Sequence, residues 1–112
     1  METVALALLK VLGDHAPDAV KRYVDANRAV DAATDEALSH LHGIQHASSD
    51  DVYESERYLL GVKLAELRTA AAGRRRFRDR VAVSQRIQGA VVTGAKRDVQ
   101  SEIDELQRVS GR

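Results

Sequence analysis

Three histidines stand close together in "HLHGIQHASSDDVYESE", His40 to Glu56, beside a cluster of acids. His42 and His46 are four residues apart and would share one face of a helix. Such a pair binds zinc only with a third ligand from elsewhere. The HExxH pattern is absent, because Gly43 follows His42. Di-iron bundles need Glu-x-x-His on two helices, and here Glu36 and His40 are four apart rather than three. A helix-end reading uses every residue instead. Gly43 would sit past the helix end in the left-handed conformation, with Ile44 folded back on the helix. His40 and His42 would then face the negative end of the helix dipole. Ser48, Ser49 and Asp50 are good caps for a following helix, and Asp51 with Glu54 resembles a capping box. The stretch is therefore expected to join two helices, and neither metal nor cofactor is expected.

The second group is "GRRRFRDR", Gly73 to Arg80. Residues 61–97 carry ten Lys or Arg against only Glu66 and Asp79. Arg74, Arg75, Arg76, Arg78, Arg80 and Arg86 are the candidates for contact with an anion or a nucleic acid. On one continuous helix they would wrap most of its circumference rather than form a stripe. Arg75 and Asp79 would pair at i, i+4. Phe77 has the type to stack a base, but its apolar neighbours Val81 and Leu67 place it in a core. No nucleic-acid-binding motif occurs, and the formal net charge is zero.

That neutrality hides an uneven distribution. Residues 1–60 hold 11 acids and 5 Lys or Arg, while residues 61–112 hold 6 acids and 12 Lys or Arg. The halves are expected to face each other, within one chain or between chains; an anionic partner for the basic half is the other reading. Catalysis has little support. There is no G-x-S-x-G, P-loop or cysteine nucleophile, and His15 beside Asp14 reads as part of a turn. No enzyme is expected.

The elements that must position these groups are helices. The 112 residues are one domain by length, with 44% hydrophobic but only 4% aromatic residues. Ala, Val and Leu must supply a thin core, and each of them buries little area. Pro17 is the only proline, so long helices are permitted. "TVALALLKVL" over 3–12 predicts a short helix. It is too short to span a bilayer, and Glu2 and Lys10 argue against a secretory leader. With no cysteine, a cytoplasmic chain without membrane attachment is expected.

From Pro17 to about His42 the apolar spacing alternates three and four. Val20, Tyr23, Asn27, Val30, Thr34, Ala37, Leu41 and Ile44 form an a/d seam of coiled-coil type, the expected partner interface. The same spacing also suits one helix of a bundle. A second helix is predicted from Asp50 through Gly73 to about Gln88, about 55–60 Å long. A break is predicted at "GAVVTGAK", then a helix over about Lys96–Val109 with an Asp104–Arg108 pair. The expected fold is all-α: an elongated antiparallel helical hairpin with short flanking helices, possibly coiled-coil-like. The expected function is structural. The module would assemble with itself or dock on a protein partner through helix faces, within a viral particle or secretion machine for example. A nucleic-acid-binding accessory role through residues 74–86 is the rival.

Overall fold

A computed structural model describes residues 17–112. The helix expected over 3–12 lies outside the described residues. The fold is all-α. Helix α1 spans Pro17–Gln45 and α2 spans Asp50–Ala71. A 3-10 turn, Arg75–Phe77, leads into α3, Arg78–Ile87. A π-helical segment, Gln88–Thr93, follows, and α4 spans Gln100–Ser110. The body is elongated, with extents of 53 × 22 × 21 Å.

Helices α1 and α2 form the expected hairpin and pack along their lengths. Proline suits a first helical position, since its missing N–H has no partner to lose there. Ser49 caps α2, its hydroxyl accepting from the Val52 amide at 3.2 Å. The dipole also favours Asp50 and Asp51 in the first turn. The capping box expected of Asp51 and Glu54 does not form; Glu54 pairs with Arg57 instead.

Gly43 departs from expectation. The helix runs through it to Gln45. A Cβ there would collide with the Glu56 side chain. The glycine leaves room for the Glu56 side chain of α2, and does not end the helix. Gly73 departs in the opposite sense. It has φ +75, a left-handed geometry that ends α2 at Ala71 and redirects the chain. The long helix expected through Gly73 is thus two helices folded on each other. The break at "GAVVTGAK" is present as the π segment, a turn at Gly94, and Ala95 at φ 56. The last helix begins later than expected, at Gln100.

The fold-back covers one side of the hairpin. Helix α4 lies against α1 and α3, while α3 and the π segment lie against α2. Leu41, Leu60, Leu64, Ile87, Ile103 and Leu106 fill the main core, all at most 1% exposed. A smaller cluster of Val30, Ala33, Leu67, Ala71 and Phe77 closes the end near Gly73. Phe77 is thus a core residue, consistent with its apolar neighbours.

Candidate functional site

The histidine stretch carries a side-chain hydrogen bond across the hairpin. His40 Nδ1 lies 2.6 Å from Glu56 Oε2, and both side chains are half-buried. His42 and His46 face solvent. Among the described residues no three His, Cys, Asp or Glu side chains converge as a metal cage would require. His40 thus links α1 to α2, with Gly43 leaving the room for Glu56.

The seam along α1 divides in two. Val30, Thr34, Ala37, Leu41 and Ile44 are buried by their own chain. As a partner interface that part of the seam is corrected: its a/d spacing records the inward face of the hairpin. Val20 and Asn27 are half-buried, and Tyr23 is 45% exposed. These three lie nearer the helix start, where α1 reaches beyond the end of α2. Thr34 needs no partner chain either, because its hydroxyl donates to the Val30 carbonyl at 2.7 Å.

The six candidate arginines also divide. Arg80 is only 8% exposed. Its guanidinium donates to Asp31 at 2.8 Å, to Thr34 Oγ1 at 3.2 Å and to the Ser110 carbonyl at 3.3 Å. It also lies 5.1 Å from the Phe77 ring centroid. Arg80 ties α3 to α1 and α4, so it is withdrawn from the set of surface contacts. Arg86 pairs with Glu105 of α4. Arg112 adds to the same lock, reaching Asp35 at 2.8 Å and Asp31 at 3.3 Å. The Arg80 and Arg112 pairs join the basic half to the acidic half within one chain, whereas the Arg86 pair lies within the basic half. The expected Asp104–Arg108 pair is replaced: Asp104 accepts from Gln100, and Arg108 approaches Glu105.

Arg74, Arg75, Arg76 and Arg78 behave differently. None makes an ion pair with a described acid, Asp79 included. They cluster around the turn at Gly73. Arg68, which the sequence reading did not single out, joins them from the last turn of α2. Nothing in the spacing of Arg68 and Arg74 announces this neighbourhood, because the chain reversal at Gly73 creates it.

One further surface stands out. A shallow groove of about 680 Å³ runs between α1 and α2. Ala29, Ala32, Ala33, Val62, Ala65, Thr69 and Ala70 line it, with Glu36 and Glu66 at its edge. Lys63 lies 2.6 Å from Glu36 and 3.2 Å from Glu66. Helices α3 and α4 contribute nothing to this lining. Half-exposed Leu59 and Val52 continue the apolar character along α2. Among the described residues no helix is long and apolar enough to cross a membrane. Comparison with protein-family models, with curated proteins and with solved structures finds no match for the chain.

Proposed function

We propose that the protein is a non-enzymatic structural module that assembles with further copies of itself through the outer face of the α1–α2 hairpin. The observation that carries this reading is the groove of small apolar side chains on that face. Alanines let helix backbones approach closely, and their exposure to water favours burial against another surface. The elongated shape supports it: the radius of gyration of 16.3 Å exceeds the value of about 13 Å for a compact chain of about 100 residues.

Light scattering tests the reading. The native mass at micromolar concentration is expected to be a multiple of 12.3 kDa. Ala65→Glu places a charge on the groove at an exposed position and should return the mass to one chain. A single-chain mass for the unaltered protein across the micromolar range overturns self-assembly.

A further inference from the structure

Between Arg68 and Arg78 the sequence holds five arginines and no acid. The fold brings all five to the tip where α2 turns into α3. Arg68, Arg74, Arg75 and Arg78 rim a cleft of about 460 Å³. Its floor is apolar, formed by Ala71, Ala72, Val81 and Ala82. The contrast with the other arginines after α1 is chemical. Arg80, Arg86, Arg97 and Arg112 each meet an acid of this chain, whereas the tip arginines meet none among the described residues. One nitrogen is more telling. Arg68 Nη1 is enclosed and has no hydrogen-bond partner among the described residues. A buried donor of this kind normally has an acceptor, since leaving it unmade is costly.

Phosphate oxygens supply such acceptors, and the planar fork of arginine matches them. The tip also offers an aromatic surface. Arg74 lies 5.7 Å from the ring centroid of Tyr23, which is 45% exposed. The nearby Asn27 side chain, and then the Arg76 guanidinium, favour the ionised phenol and hold Tyr23 below the usual tyrosine range. An accessible aromatic ring next to clustered cations and an apolar floor fits a base and its phosphate together. An acidic peptide would use the cations alone. A duplex would present its phosphates without bases free to stack.

We propose that the Gly73 tip is a binding site for single-stranded nucleic acid. Arg68, Arg74, Arg75 and Arg78 contact phosphates, and Tyr23 stacks an adjoining base. The site is independent of the groove between α1 and α2.

Fluorescence anisotropy with a labelled oligothymidylate of about 16 nucleotides tests this. Binding at low salt is expected, weakening as salt rises. The triple change Arg74→Gln, Arg75→Gln, Arg78→Gln should weaken it at least tenfold. The log–log salt slope should fall by about 2, from about 0.7 for each lost phosphate contact on a single strand. Tyr23→Leu should weaken binding about fivefold or more, while Tyr23→Phe keeps it. Thermal unfolding of each variant confirms that the fold is retained. Four results overturn the proposal: no binding at low salt, unchanged affinity in the triple variant, displacement by adenosine monophosphate at equal phosphate concentration, or equal displacement by polyglutamate.

Discussion

The two sides of the α1–α2 hairpin are built from the same helices and carry different side chains. The inner side presents Leu41, Leu60, Leu64 and Leu67, all fully buried. The outer side presents Ala29, Ala32, Ala65 and Thr69, all exposed. Large aliphatic side chains bury enough area to hold α3 and α4 in place. Small ones leave a groove that nothing in the described chain fills. Periodicity marks both sides, but size separates them. The side rich in leucine is occupied by the chain's own elements, and the side rich in alanine is left exposed by them.

Changes on the inner side should have the largest effect. Leu64→Ala leaves a cavity at the centre of the main core and should lower unfolding stability by about 2–5 kcal/mol, read by chemical denaturation. Arg80→Gln should cost about 1–3 kcal/mol, because it removes donors from Asp31, Thr34 and the Ser110 carbonyl together. Arg112 still reaches Asp31 at 3.3 Å, which keeps this loss below that of an isolated buried pair.

At the boundary between the two sides, Gly73→Ala should cost about 1–2 kcal/mol. A methyl group at Gly73 meets nothing within 4 Å, so the cost comes from the left-handed backbone alone. A loss near zero would mean that the turn relaxes easily. On the outer side, Ala65→Glu should change single-chain stability by less than about 0.5 kcal/mol while abolishing assembly. A large loss of stability there would erase the distinction between the sides.

The smallest effect concerns the first turn of α4. Burial acts against the charge of Glu102, but hydrogen bonds from Lys96 at 2.6 Å and Ser101 at 2.9 Å outweigh it. The Glu102 carboxyl therefore sits below its ordinary range. A lowered folded pKa contributes stability above the unfolded value, and that contribution is lost as pH falls through the folded one. Glu102→Gln should thus be slightly less stable than the unaltered protein at neutral pH. The two should converge in acid, as thermal melts across pH would show.

Much of this architecture is legible in the residues. The spacing from Val30 to Ile44 marks a buried helix stripe, and the serines before Asp50 mark the start of α2. The run "GAVVTGAK" marks a break. Two glycines were harder to read, because glycine serves opposite purposes. Gly43 makes room for Glu56, which only the packing of α1 on α2 reveals. Gly73 takes a left-handed turn in the middle of strong helix formers, where local propensity alone favours continuation. That single turn decides the fate of the arginines. On a continuous helix they would encircle one rod. Folded at Gly73, Arg80 enters the interior while Arg68 joins Arg74, Arg75 and Arg78 at the tip. Tertiary pairing of this kind leaves no periodic trace in the sequence.

The outer face is the part of the account most directly open to measurement. The chain has no cysteine, so Ala65→Cys introduces a single thiol on the groove and Ala82→Cys a single thiol away from it. The rate of labelling by a soluble thiol reagent reports whether each position is covered. If the outer face is where copies meet, labelling at Ala65→Cys slows as protein concentration rises, while Ala82→Cys keeps a constant rate. Equal and concentration-independent labelling at both positions would contradict assembly through that face.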